Sequence, residues 1–153
     1  ITYAEALDRL RAKGFELAWG ADIATAEERA LTLTETAPLF LTHFPRELKA
    51  FYMLQSRDDP KTVEAFDLLA PEGYGEIVGA SCRETDAERL TERLVATGAK
   101  LEEYRWYLDL RRYGNVPHAG FGAGIERVLR WVARREHIRD TTPFPRTPAR
   151  LSP

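Results

Sequence analysis

Sulfur is nearly missing from this chain of 153 residues, which holds one cysteine, Cys82, and one methionine, Met53. A single thiol excludes an intrachain disulfide framework and any zinc cluster built from cysteines. It is what a reducing compartment predicts, so a cytoplasmic protein is expected. Asparagine and glutamine occur once each, and 4 lysines stand against 18 arginines. Scarcity of heat-labile residues is a feature of thermophilic proteins; an arginine excess is also what GC-rich coding produces. No apolar run approaches the length of a membrane span, and the N-terminus has no signal-peptide pattern, so no membrane partner is expected. Internal repeats and low-complexity linkers are absent. Strong charge of either sign is lacking too: the formal net charge is −2. That excludes a general polyanion binder and leaves any nucleic-acid contact to a local patch. The chain starts at Ile1 rather than Met, as expected of a fragment or of a chain renumbered from a longer one.

What is present suits one globular domain: 44% hydrophobic and 30% charged residues at a length that can bury a core. Thr2-Tyr3-Ala4-Glu5 has the form of a capping box, and with Ala6, Leu7, Leu10 and Gly14 it predicts a helix over about 3–13. Thr25 with Glu28 opens a second, shorter helix in the same way. Pro38 to His43 reads as a strand, Phe51 to Leu54 as the start of another, and Asp58-Asp59-Pro60-Lys61 as a turn. Thr62 to Leu69 and Gly75 to Arg83 read as paired antiparallel strands. Thr85-Asp86-Ala87-Glu88 is a third capping box, for a helix that ends at Gly98. Glu102 to Arg112 is expected to be helical, with Trp106 and Leu110 on one face. Gly120 to Gly124 leads into a helix whose apolar stripe is Ile125, Val128, Leu129 and Val132. The order predicts an α+β fold with a mostly antiparallel sheet.

Three stretches could carry chemistry. In Gly120-Phe121-Gly122-Ala123-Gly124-Ile125-Glu126-Arg127, alternating glycines leave one side of the backbone bare, so that a flat ring or phosphate can approach. Arg127 falls on the first turn of the helix that follows, where the N–H groups and the dipole favour an anion. Tight packing or a plain turn would explain the glycines equally well. In Gly75 to Arg83, Glu76 offers hard oxygen ligands for Mg²⁺ and Arg83 a fork for a carboxylate or carbonyl oxygen. On a regular strand the two would face opposite sides; a bend at Gly79 would bring them together. Otherwise they are two charges on a solvated strand. The loop Arg111 to Gly120 has two arginines and a histidine that could line a polar site. The remaining features read as structural. Arg130 pairs with Glu126 on the surface, Cys82 packs as a small side chain, His43 and His137 have no metal-ligand spacing, and the proline-rich segment from Thr142 to Pro153 is an extended tail strapping the core.

Taken together these segments resemble a known family. Gly-Phe-Gly-Ala-Gly-Ile-Glu-Arg at 120–127 is similar to the third signature motif of class II aminoacyl-tRNA synthetases. Tyr107 to Gly114, Val116 to Gly120, Ile138-Arg139-Asp140, Pro143 to Pro148, Lys49 to Met53 and the opening Ile1 to Ala6 resemble its asparaginyl branch. The resemblance covers essentially the whole chain. It implies that residues 1–153 form the C-terminal part of a catalytic domain, an antiparallel sheet flanked by helices. The implied substrates are asparagine, ATP with Mg²⁺, and the acceptor end of tRNA(Asn), with a homodimer in the full-length protein. By the same resemblance Arg127 meets the ATP γ-phosphate, Gly122 and Gly124 border the ATP site, and Glu76 holds Mg²⁺ on the phosphates. Arg83 meets the amino-acid side chain, and Lys49 and Tyr52 lie on the strand lining that pocket. Glu76, Arg83 and Arg127 are accordingly expected in one cleft.

The chain departs from the family pattern where relatives often have Gln at the place of Cys82 and Leu at the place of Ala123. The first and second class motifs and the anticodon-binding barrel are absent, so the isolated chain is expected to be inactive. Arg83 alone should prefer a charged aspartate partner over neutral asparagine, which puts the selecting group elsewhere. Two other readings compete: a related asparagine synthetase that needs no tRNA, and a non-catalytic paralogue acting as an interaction module. Retention of Glu76, Arg83 and Arg127 together argues against the paralogue.

Overall fold

A computed structural model of the chain describes residues 1–150. Its centre is a four-stranded antiparallel sheet in the order β1 (Leu39–Thr42), β2 (Ala65–Ala70), β3 (Gly75–Cys82) and β4 (Ala119–Ala123). Side chains alternate across a strand, so cross-strand partners sort the two faces. One face carries Leu39, Leu41, Asp67, Leu69 and Gly79; the other carries Phe40, Phe66, Leu68 and Val78.

Helices α1 (Tyr3–Ala12) and α2 (Thr25–Thr32) cover part of the first face. Thr2 caps α1 as its sequence predicts, accepting from the Glu5 N–H at 3.2 Å while Glu5 accepts from the Thr2 N–H at 2.7 Å. The buried residues of α1, Tyr3, Ala6, Leu7 and Leu10, recur at helical spacing and pack with Leu31 of α2 and Leu41, Phe44, Val63 and Leu69 of the sheet region. Fully burying each of these larger side chains contributes roughly 1.5–3 kcal/mol. Helix α3 (Ala87–Ala96) and α4 (Arg105–Arg112) follow β3, and α5 (Ile125–Val132) follows β4. In α3 and α4, Leu90, Leu94 and Leu108 are buried.

Several local expectations are corrected. Helix α2 is capped by Ala24, which has no side-chain acceptor, so Thr25 is already helical and caps nothing, and Glu28 instead accepts the Glu76 N–H at 3.0 Å. The N-cap of α3 is Asp86, not Thr85; its carboxylate accepts from Glu88 and Arg89 at 2.9 and 3.0 Å. Residues 51–54 form no strand. They cross the ends of β2 and β3, where only Met53 bridges Arg83 and Gln55 bridges Val63. The apolar stripe of α5 is largely uncovered: Ile125 and Val132 are each 69% exposed. Trp106 and Leu110 share a face of α4 as expected, but that face is exposed. Cys82 is exposed rather than packed. Arg130 reaches the Tyr74 carbonyl at 3.4 Å and lies over its ring, rather than pairing with Glu126. In the C-terminal segment Phe144 is exposed, and Thr147 and Arg150 exchange backbone hydrogen bonds in a tight turn, so this stretch is not an extended strap; residues 151–153 of the expected tail lie outside the described residues. No helix among the described residues is long and apolar enough to cross a membrane.

Candidate active site

The site begins with an irregularity in β3. Leu68 pairs with Val78 but Leu69 pairs with Glu76, so Ile77 is an extra residue bulged out of the ladder. A bulge reverses the side-chain alternation beyond it. Glu76 therefore shares a face with Gly79, Ser81 and Arg83, which the regular period would have denied it. The bend was expected at Gly79 and sits instead at Ile77. Gly79 serves that face differently: a Cβ there would lie 3.1 Å from Glu76 Oε1 and 3.4 Å from Asp67 Oδ1. Two carboxylates thus lean over one bare backbone position.

Across the sheet, Asp67, Gly79 and Gly122 lie in register, and Ala65, Ser81 and Gly120 form the next row. Small residues make the floor flat. Above Gly122 nothing lies within 4 Å of a built Cβ, so its backbone is open to an approaching group. Gly120 is bare for another reason: a Cβ would meet the Arg83 guanidinium at 2.9 Å. Arg83 donates to Ser81 Oγ at 2.5 Å, and its guanidinium lies 4.7 Å from the centre of the Tyr52 ring.

Arg127 is placed by the same bulge. The Gly124 N–H donates to the Ile77 carbonyl at 3.0 Å, pinning the start of α5 to β3. Arg127, on the first turn, then folds back to donate to the Glu76 carbonyl at 2.8 Å and its carboxylate at 3.4 Å. A Cβ at Gly124 would meet the Arg127 stem at 3.1 Å, so this glycine clears a path for the arginine rather than for a ring. Lys49 pairs with Asp67 Oδ2 at 2.7 Å, with 19% of each side chain exposed, and its ammonium lies 3.6 Å over the Phe44 ring.

Glu76, Arg83 and Arg127 thus open on one face of the antiparallel sheet, but not in one hollow. Glu76 and Arg127 line a cavity of about 270 Å³ with Glu28 and Arg130. Arg83 and Tyr52 line another of about 350 Å³ with Phe51, Tyr104, Trp106 and Tyr107. A further apolar hollow, about 430 Å³, is lined by Phe66, Ala80, Cys82 and Phe121 and lies on the opposite face. Of the polar loop, Arg111 turns inward to the Glu84 carbonyl and the Tyr107 hydroxyl, so it braces the fold.

Two residues escaped sequence reasoning. Asp67 is a lone acid in an apolar strand, and only its register opposite Gly79 brings it to Glu76. Glu28 looked like part of a helix cap. Burial pushes its carboxyl above the usual range; the hydrogen bond from Glu76 N–H opposes that shift and the Glu76 charge adds to it. A Cβ at Gly75, whose φ is +78°, would sit 2.6 Å from the same carboxylate, so Glu28 braces the start of β3 from beneath.

The face therefore combines a glycine floor, an arginine on the first turn of the following helix and an acid on β3 to which that arginine donates. Residues 1–148 match the family described as tRNA synthetases class II (D, K and N), and the chain belongs to that family. It is 52% identical over its whole length to the asparagine–tRNA ligase of Thermococcus kodakarensis, spanning 36% of that protein. The asparaginyl-tRNA synthetase of Pyrococcus horikoshii complexed with asparaginyl-adenylate superposes with a TM-score of 0.96 at 51% identity, over 99% of this chain and 35% of that one. The Entamoeba histolytica asparaginyl-tRNA synthetase, also in complex with asparaginyl-adenylate, gives 0.94 at 37% identity, over 100% and 36%. The chain therefore spans about a third of the length of its relatives.

Proposed function

We propose that this chain is the part of an asparagine–tRNA ligase catalytic domain that carries the third class motif, and that its glycine-floored face activates asparagine. The observation that carries the reading is the line of Arg127, Glu76, Asp67 and Arg83 on one sheet face. It occurs in a chain similar throughout its length to enzymes solved with asparaginyl-adenylate. In the proposed reaction a carboxylate oxygen of asparagine attacks the α-phosphorus of ATP and the bond to pyrophosphate breaks. The 3′-terminal ribose hydroxyl of tRNA(Asn) then attacks the acyl carbon and AMP leaves.

Each residue contributes by position and charge. Arg127 sits with the open N–H groups of α5 where the terminal phosphates would lie. The open backbone at Gly122 lets the nucleotide lie flat on the sheet. Arg83, propped on Tyr52 and held by Ser81, offers its fork to the side-chain oxygen of asparagine. Lys49, steadied by Asp67, adds positive charge near the amino-acid end. These groups are fixed before substrate arrives, so little reorganisation is left for the reaction itself.

The donors suit Mg²⁺. No group of three or more metal-ligating side chains occurs among the described residues, but Mg²⁺ is held by one or two carboxylates with phosphate oxygens and water supplying the rest. Glu76 and Asp67 would hold it, and bound there it would neutralise phosphate charge. A cytoplasmic homodimer is the expected setting.

The test is asparagine-dependent exchange of pyrophosphate into ATP by the full-length protein, followed by charging of tRNA(Asn). Exchange with asparagine and not aspartate, and transfer to tRNA, are expected. Free asparagine formed from aspartate without any charged tRNA would overturn the reading.

A further inference from the structure

The pocket residues Lys49 and Tyr52 lie on a segment with almost no secondary structure of its own. Residues 46–48 form one short 3-10 turn, and the rest of 46–53 is loop. Such a segment has inward-facing carbonyls that no strand or helix satisfies, and buried carbonyls need partners. Here one side chain meets four of them. Arg93, on α3, donates through Nη2 to the carbonyls of Arg46 and Ala50, each at 3.2 Å, and to that of Lys49 at 3.5 Å. Its Nη1 donates to Met53. Only a guanidinium offers several donors in a rigid plane.

The clamp is charged and half-buried. Burial weighs most against its charged form and Arg46 adds to that, while Glu84 and then Glu47 favour it. Glu84 is 2% exposed. Its Oε1 accepts from the Thr85 and Asp86 N–H groups at 2.9 and 3.0 Å, and its Oε2 has no hydrogen-bond partner. A buried carboxylate with one oxygen left over is costly unless a nearby cation offsets it. Glu84 also follows Arg83 directly, and its N–H donates to the Tyr52 carbonyl at 2.9 Å. The Arg93–Glu84 pair of charges thus brackets the segment: Arg93 holds the carbonyls from residue 46 to residue 53, and Glu84 ties Tyr52 to the end of β3.

We propose that Arg93 is a positioning residue for the amino-acid pocket, holding the 46–53 segment so that Lys49 reaches Asp67 and Tyr52 lies against Arg83. Of the groups assigned to the phosphate side it reaches only Asp67, and that through Lys49; Arg127 and Glu76 are placed by the β3 bulge and α5 instead. The inference rests on the asparagine-activating reading and assigns the split between its two substrates. Loss of the clamp lets Lys49 and Tyr52 drift while Arg127 and Glu76, held by the bulge and α5, stay in place. Misplacement of about 1 Å is enough to cost up to a hundredfold in rate.

The experiment is pyrophosphate exchange by full-length Arg93→Lys and Arg93→Met, with both Michaelis constants measured. Lysine keeps the charge that balances Glu84 but can satisfy only part of the carbonyl set, so Arg93→Lys remains informative if Arg93→Met does not fold. The KM for asparagine is expected to rise about tenfold or more in Arg93→Lys, further in Arg93→Met, with the KM for ATP within about twofold of wild type. A merely structural role would lower the thermal midpoint and leave that ratio unchanged. Equal rises in both constants, or no change in the asparagine constant, would overturn the proposal while the wild-type enzyme still exchanged. A wild type that gives no exchange with asparagine would instead remove the reading beneath it.

Discussion

One methyl group is enough to probe the floor of the site. Gly79→Ala would set a carbon 3.1 Å from Glu76 Oε1, so that this carboxylate must shift by a few tenths of an ångström, and in ordinary contact at 3.4 Å with Asp67 Oδ1. In the full-length enzyme this is expected to raise the Mg²⁺ concentration for half-maximal exchange by about tenfold. Gly122→Ala meets nothing within 4 Å in the chain, so it is expected to raise the KM for ATP and leave the Mg²⁺ dependence alone. Titrating Mg²⁺ against both variants separates the two; identical Mg²⁺ curves would contradict the assignment of Glu76 and Asp67. Arg83→Lys keeps a charge but loses the fork, and Arg127→Ala would remove the proposed phosphate contact, each at roughly 2–4 kcal/mol. The first is expected to act on the KM for asparagine and the second on that for ATP. If both weaken ATP alike and spare asparagine, Arg83 is not the amino-acid residue. Glu76, Arg83 and Arg127 were legible in the sequence because each stands in a recognisable string. Asp67 was not, since its place depends on cross-strand register, which no local pattern records.

At the scale of elements, helices were easier to read than the events between them. The antiparallel pair of β2 and β3, α3 and the helix after the glycines all appear close to where periodicity placed them. Two of three capping boxes did not form, because a Thr-x-x-Glu string says nothing about what else the glutamate can reach. Glu28 found a buried N–H on β3, and Asp86 outcompeted Thr85 as the cap. The bulge at Ile77 carries no marker of its own: an apolar residue in an apolar strand leaves the period intact to the eye. The Asp86 cap has a pH signature. Chiefly the hydrogen bond from Arg89 N–H, with that from Glu88 assisting, holds its carboxyl below the usual range. A lowered folded-state pKa contributes stability that is fully present above the ordinary aspartate value, about 4, and is lost as pH falls through the folded-state value. The thermal midpoint of Asp86→Asn, which keeps the acceptor oxygen without the charge, is therefore expected to lie below wild type at pH 7 and to approach it as pH falls below the ordinary aspartate range. A gap that does not narrow as pH falls below the ordinary aspartate range would mean that the charge is not what the cap uses.

On the whole molecule, the uneven distribution of apolar surface matters most. Phe121 is 74% exposed, Phe40 52%, and the Ile125 and Val132 stripe of α5 stands clear of the described chain. Large apolar side chains left exposed in this way mark surfaces for interaction. In a chain spanning about a third of its relatives' length, these surfaces are where the remainder of a synthetase domain would pack. Residues 1–153 alone are accordingly expected to bind a hydrophobic dye strongly, to self-associate on a sizing column and to give no asparagine-dependent exchange. A monomer with weak dye binding would contradict this. The fold class was legible at this scale because the strand and helix order admits few alternatives; the uncovered faces were not, since periodicity shows that a helix has an apolar stripe but not whether anything lies on it. The central claim is that one glycine-floored face of the sheet holds both halves of the activated amino acid. A crystal structure of the full-length protein with a sulfamoyl analogue of asparaginyl-adenylate tests it most directly. The carboxamide oxygen is expected at Arg83, the nucleotide across Gly122, and the pyrophosphate side of the ligand opening toward Arg127 and Glu76. Ligand bound on the Phe66 and Phe121 face, or a carboxamide that does not meet Arg83, would contradict it.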